Sequence, residues 1–286
     1  MNAGVDRPLR LGISPCPNDT FAFSGILAQL DGGERCSPLD FELRLLDVQA
    51  LNEALAQGEF DVAKASFHAA LHLREEFGVL PVGAALGFGV GPLLLAASPE
   101  LAGRSPGEGD RVLCPGALTT ATLLYKILIP GGPEPEHVVF SEIMPALQAG
   151  AADYGVVIHE GRFTYQSRGL HLVQDLGEAY EQRTQMPVPL GGILARKDLG
   201  SERIAQVIAA IRRSLQTARR NPEATLPIMA RHAQELSEEV LWEHVRLYVN
   251  DATLDLGTQG REALSVLGEE ALRVQAIPEG DPLWIW

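Results

Sequence analysis

Ala54-Leu55-Ala56-Gln57-Gly58-Glu59-Phe60-Asp61-Val62-Ala63 recurs later in the chain as Ala146-Leu147-Gln148-Ala149-Gly150-Ala151-Ala152-Asp153-Tyr154-Gly155. Leu55 matches Leu147, Gly58 matches Gly150 and Asp61 matches Asp153. Each copy reads as a helix end, a glycine stop, an acidic turn and a buried strand. Each follows a strand–loop–helix unit, Leu9 to Leu30 in the first half and Arg111 to Leu128 in the second. The matched order of these units favours two similar α/β lobes facing one cleft over a chance likeness. In such sheets ligands sit beyond the carboxyl ends of the strands. The repeat places Lys64-Ala65-Ser66 and Ile158-His159-Glu160 at equivalent strand ends, where a rigid scaffold can hold polar groups.

The loops that open each half are the next candidates. Ser14-Pro15-Cys16-Pro17-Asn18-Asp19-Thr20-Phe21 follows the apolar run Leu9 to Ile13. Its two prolines predict an extended connection and a helix beginning near Phe21. Asn18, Asp19 and Thr20 are all candidate N-caps, and the remaining first-turn N–H groups are open to an anionic or polar ligand. A well-capped turn with no ligand is the competing reading. Pro115 to Thr122 is the counterpart in the second half, with Thr119, Thr120 and Thr122 able to cap and the N–H of Ala121 in the first turn.

His159 emerges from the apolar run Tyr154 to Ile158, and a histidine so placed can titrate near neutrality as a general base. A core histidine bonded to backbone is the alternative. Glu160 points to the opposite face and is read as structural. Lys64 and Ser66 share a face; Lys64 either meets a ligand carboxylate or pairs with Asp61. His68 and His72 have a metal-compatible spacing but no adjacent glutamate and no third ligand, and are read as a solvated helical face. His137, His171, His232 and His244 show no partner pattern. Arg162, Tyr165 and Arg183 lie near the second segment in sequence. No metal or organic cofactor is expected.

The chain has 286 residues, 46% of them hydrophobic, and a mean hydropathy of +0.04, enough for a sizeable core. Its formal net charge of −14 argues against nucleic acid and anionic membranes as partners, though not against a small anionic substrate. Cys16, Cys36 and Cys114 form no framework, and Cys16 and Cys114 read as small buried residues. The polar stretch Met1 to Pro8 lacks a signal-peptide core and no run is long enough for a membrane span, so a cytoplasmic location is expected. Phe41 to Leu45, Phe60 to Ser66 and Leu80 to Leu86 read as strands. Beyond Leu199 the pattern turns helical, with Ile204, Ile208, Ile211 and Leu215 on one face, a helix start at Asn221-Pro222, and helices over Leu236 to Val249 and Gly260 to Val274.

The octet Ser14 to Phe21 resembles the N-terminal signature of 1,4-dihydroxy-6-naphthoate synthases, enzymes of the futalosine route to menaquinone. The likeness continues at Lys64-Ala65-Ser66, Gly87-Phe88-Gly89-Val90-Gly91-Pro92 and Pro115 to Ala121. It is strong at Val157-Ile158-His159-Glu160-Gly161-Arg162-Phe163-Thr164-Tyr165 and runs on to Tyr248-Val249-Asn250. Phe88 stands where the family carries a basic residue, which puts a ligand charge contact there in doubt. The resemblance implies an α/β, two-lobed periplasmic-binding-protein-like (type II) fold. Lobe one would comprise residues 1–94 and 197–286, lobe two residues 95–196, with the cleft between them. It implies a cytosolic lyase acting on cyclic dehypoxanthine futalosine without a cofactor. It assigns the base to His159 and substrate contacts to Asn18, Lys64, Ala65, Ser66, Thr120 and Ala121. The rivals are a chorismate dehydratase of the same route and a solute-binding protein for a small organic acid. Oligomeric state is not indicated.

Overall fold

The computed structural model describes residues 7–159, 161–233 and 237–286. Its strands are β1 (Leu9–Ile13), β2 (Phe41–Leu45), β3 (Val62–Ser66), β4 (Phe77–Val79), β5 (Ala85–Gly87), β6 (Leu93–Ala96), β7 (Val112–Cys114), β8 (Glu136–His137), β9 (Tyr154–Val157), β10 (His171–Asp175) and β11 (Val188–Arg196). The first sheet runs β2-β1-β3-β11-β4, with β5 also paired to β11; the second runs β8-β7-β9-β6-β10. The two orders correspond strand for strand. In each, the first three strands are parallel and the fourth is antiparallel to the third.

The sequence repeat is a structural repeat. Gly58 (φ +72°) and Gly150 (φ +66°) both adopt the left-handed conformation that ends a helix cheaply only in glycine. Around them the same pair of bonds forms: Gly58 N–H to Leu55 O and Glu59 N–H to Ala54 O, then Gly150 N–H to Leu147 O and Ala151 N–H to Ala146 O. The matched acids do the same work too. Asp61 accepts from the Arg10 N–H at 2.9 Å, and Asp153 from the Arg111 N–H at 2.8 Å, each stapling a strand start to the strand before it. Burial opposes ionisation of Asp61, but hydrogen bonds from Arg7 and Arg10 outweigh it and hold the carboxyl far below its usual range.

Two expectations need correction. The chain passes to the second sheet between Gly87 and Leu93 and returns between Asp175 and Val188. The expected boundary at 94/95 therefore cuts β6, which lies wholly in the second sheet, and the segment 95–196 includes β11, which lies in the first. Both are nearly continuous buried runs, whose pattern does not say which sheet they join. Of the expected strand Leu80 to Leu86, only Ala85 and Leu86 are extended, in β5; residues 80–84 form the bend between β4 and β5. Pro81 offers no N–H there, and Gly83 has φ +84°.

Ile204, Ile211 and Leu215 of the helix Ser201–Arg220 share a core with Leu9, Leu11 and Ile13, so the helical tail covers the first sheet. The tail also holds the expected start at Pro222, as a 3-10 turn leading into Leu226–His232, and the helices Glu238–Tyr248 and Gly257–Arg273. Leu236 lies outside the described residues. No described helix is long and apolar enough to cross a membrane.

Candidate active site

Asn18, Lys64, Ala65, Ser66, Thr120, Ala121 and His159 all line one cleft of about 690 Å³, a volume that includes its open mouth. The first loop reaches it differently from expectation. The helix begins at Pro17, not near Phe21, and Cys16 is the N-cap, its carbonyl accepting from the N–H groups of Asp19 and Thr20, both at 3.0 Å. Proline suits the first helical position because its φ is already helical and its missing N–H would have had no partner. Asn18, Asp19 and Thr20 are therefore inside the first turn and cap nothing.

Asp19 organises the floor instead. Its carboxylate accepts from Ser14 Oγ at 2.7 Å and from Asn18 Nδ2 at 3.0 Å, and pairs with Lys64 Nζ at 2.9 Å. Lys64 also donates to Gly83 O at 3.1 Å. The partner of Lys64 is thus Asp19 and not Asp61, which sits at the other end of β3 and is claimed by Arg7 and Arg10. Sequence reading missed Asp19 as a cleft residue. It missed Asn52 as well, a fully buried residue of the helix Val48–Ala56. Asn52 donates to Ser66 Oγ at 3.2 Å and accepts from the Ser66 N–H at 2.9 Å. With one lone pair engaged by Asn52, the Ser66 hydroxyl proton is left as a donor. A single Asn inside a helix carries no motif signal.

The second loop begins the helix Thr120–Leu128. Thr119 is its N-cap and accepts from the Thr122 N–H at 3.2 Å. The N–H groups of Thr120 and Ala121 belong to the first turn, which helix geometry leaves without intrahelical acceptors. The Thr120 hydroxyl is engaged: it donates to Leu190 O at 2.6 Å and accepts from the His68 N–H at 3.2 Å. Thr120 therefore offers a ligand its backbone, while its side chain ties the loop to β11.

His159 follows β9 in a left-handed conformation, φ +55°, which costs a non-glycine residue ~1–2 kcal/mol. The turn is braced by Gly161 N–H to Ile158 O and Arg162 N–H to His159 O. The half-buried ring lies in the cleft wall. Cys16 Sγ is 3.5 Å from Nδ1, Phe140 meets the ring edge-on at 5.1 Å, and His244 lies nearly parallel at 6.1 Å between centroids. Cys16 is thus half-buried against His159 and not simply a core filler. Cys114 is buried, its thiol pushed up to about 12 by desolvation. Glu160 lies outside the described residues. Arg162 binds Gly91 and Asp175, Arg183 pairs with Glu270, and Tyr165 packs against the second sheet's core. Phe88 is 57% exposed in the passage between the sheets.

One histidine departs from the reading, and a second bears on stability. His68 is not solvated: it is buried, with Nδ1 3.2 Å from Thr119 O, and burial pushes it down to about 4. His244 is fully buried with no hydrogen-bond partner for either ring nitrogen among the described residues. Burial, then the neighbouring His159, push it down to about 3 from the usual 6.5. As pH falls below the unfolded value, the unfolded chain binds a proton that the folded chain refuses. Stability from this group is therefore whole above pH ~6.5 and declines toward pH ~3, by at most ~1.4 kcal/mol per pH unit. Urea unfolding at pH ~7 and ~5 should show a lower midpoint at the acid end. His244→Phe, which keeps a ring and cannot titrate, should make that slope shallower, with the buried His68 supplying part of what remains; an unchanged slope removes His244 as a source.

The menaquinone biosynthesis family matches residues 9–272. A 1,4-dihydroxy-6-naphthoate synthase of Thermus thermophilus is 44% identical over 278 residues, 97% of this chain and 99% of the relative. One of Streptomyces coelicolor is 38% identical, over 96% of each chain. The alkanesulfonate-binding protein of Xanthomonas axonopodis pv. citri, solved bound to MOPS, superposes with a TM-score of 0.71 at 13% identity, covering 99% of both chains. That likeness shows the fold alone: two-lobed, α/β and periplasmic-binding-protein-like. The chain belongs to the menaquinone biosynthesis family.

Proposed function

We propose that this member of the family is a 1,4-dihydroxy-6-naphthoate synthase. It is a cytoplasmic lyase that opens cyclic dehypoxanthine futalosine and releases the sugar-derived part. The observation that carries the reading is one cleft shared by the His159 imidazole, the Ser66 hydroxyl and the first-turn N–H groups of Thr120 and Ala121. His159 acts as the general base that removes the proton starting the ring-opening. The N–H pair and Ser66 hold the substrate carboxylate and stabilise developing oxyanion charge. Partial positive charge at the helix start attracts an anion even in a chain of net charge −14. Lys64, already neutralised by Asp19, contributes a positioned donor more than a free charge. Ala65 and Asn18 shape the wall. Closure of the lobes excludes water from the reacting carbon.

Incubating the purified chain with cyclic dehypoxanthine futalosine and, separately, with chorismate tests the reading. The expected outcome is 1,4-dihydroxy-6-naphthoate from the first and no product from the second. Dehydration of chorismate would assign the sister activity, and binding of a small acid without turnover would assign a solute-binding role.

A further inference from the structure

Arg162 follows the proposed base by three positions, and its side chain reaches behind the cleft wall at Gly91, which lines the same cleft as His159. The guanidinium spans two segments: Nη1 donates to Gly91 O at 2.8 Å and Nη2 to Asp175 Oδ2 at 2.5 Å. These acceptors stand on the two passages between the sheets. Gly91 lies between β5 and β6, and Asp175 ends β10, where the chain sets out on its return to β11. The passages touch at this point. Leu176 N–H donates to Pro92 O at 3.0 Å, and a Cβ on Gly91 would lie 2.1 Å from the Gly177 Cα. Only two glycines allow the backbones so close. Both connections between the lobes thus pass through one node, and Arg162 grips both at once. A planar guanidinium can serve two acceptors in fixed geometry, which an ammonium cannot.

We propose that Arg162 is a positioning residue: it ties the His159 turn to the node joining the two lobes, so that the setting of the lobes sets the place of the base. This rests on reading His159 as the base. The two backbone bonds of the turn are local and do not anchor it to anything outside residues 158–162. The left-handed backbone of His159 persists only where its surroundings hold it; the ring is held by weak contacts to Cys16, Phe140 and His244, and Arg162 adds the charged hydrogen bonds to the node. Ser66, Thr120 and Ala121 stand on other elements. Gly91 lines the cleft wall, but the proposed carboxylate contacts do not depend on it, so loss of the tether acts more on the chemical step than on ligand binding.

Arg162→Met and Asp175→Asn test this. Asparagine can keep the cap of the helix Leu176–Thr184 on its one oxygen, so the second variant removes both the charge and the acceptor that Arg162 meets while sparing the helix start. The expected result is kcat lower by ~10²-fold in Arg162→Met and ~10-fold in Asp175→Asn, the scale of a displaced catalytic group. KM should stay within about threefold, as for an interaction absent from ground-state binding. Arg162→Lys should recover little. A second readout does not depend on turnover: NMR of ¹³C-labelled histidine, with the His159 resonance identified by its loss in His159→Asn. That resonance should shift or broaden in both variants. An unchanged kcat in folded Arg162→Met, or an unchanged His159 resonance, overturns the inference. Normal turnover in His159→Asn removes the base reading, and the resonance then still decides whether Arg162 places His159.

Discussion

Replacing His159 by asparagine should lower kcat by ~10²–10⁴-fold, the usual worth of a positioned acid–base group. Asparagine is the variant of choice because the position has φ +55°, and asparagine enters the left-handed region more readily than other non-glycine residues. The turn, with its bonds to Gly161 and Arg162, then survives the substitution. The contact with Cys16 is lost and the edge contact with Phe140 weakens, but neither spans the cleft to Ser66 or to the Thr120 loop. Ligand affinity should therefore hold within about threefold while turnover collapses, the mark of an interaction needed only in the transition state. Equilibrium binding of the substrate and single-turnover rates on the same preparation check both halves. Turnover near that of the wild type would strip His159 of the role, and loss of binding together with rate would make it a wall of the cleft.

The lobes were legible because their signals are backbone requirements. Gly58 and Gly150 end helices in a conformation that few residues adopt, and Asp61 and Asp153 staple parallel strands through the N–H groups of Arg10 and Arg111. Such constraints leave the same residue at the same spacing in both copies. The partners inside the cleft left no such mark. Asn52 reaches Ser66 at the end of β3 from the helix Val48–Ala56 behind the cleft wall, and Asp19 reaches Lys64 from a helix start distant in sequence. Nothing local distinguishes either from a surface residue. The first loop misled for a definite reason: Pro15 and Pro17 look alike in sequence, yet one precedes the helix and the other is its first residue. His68 misled because segments distant in sequence, the Thr119–Ala121 loop and the chain at Ala276, decide that it is buried. The reach of Arg162 to Gly91 and Asp175 depends on two chain passages meeting, which no periodicity records.

The same concealed pairing makes Lys64→Met the substitution expected to cost most in stability. The Lys64 and Asp19 side chains are 9% and 4% exposed, and the ammonium lies 2.9 Å from Oδ1. Methionine matches the length of the lysine stem, so little cavity is made and the loss is electrostatic. Asp19 keeps its donors Ser14 and Asn18, but both are neutral, and the carboxylate is left buried without a counter-charge. Breaking a buried pair from one side costs ~3–5 kcal/mol. Removing both charges is different: with Asp19→Asn added, no ion remains to be desolvated, the amide oxygen still accepts from Asn18, and the Ser14 hydroxyl can turn to accept from the new NH2. The double variant should recover at least half of the loss, ~1.5–2.5 kcal/mol, and the coupling of the cycle exceeds that recovery by whatever Asp19→Asn costs alone. Urea midpoints of the wild type, both single variants and the double variant give the cycle, provided the m values agree. A cost below ~1 kcal/mol for Lys64→Met would place the pair with surface ion pairs. A double variant as weak as Lys64→Met would mean that Lys64 stabilises through Gly83 O and its stem. If the coupling holds, Asp19 fixes where the Lys64 donor points, and the octet that carries Asp19 shapes the cleft floor by charge as well as by its helix start.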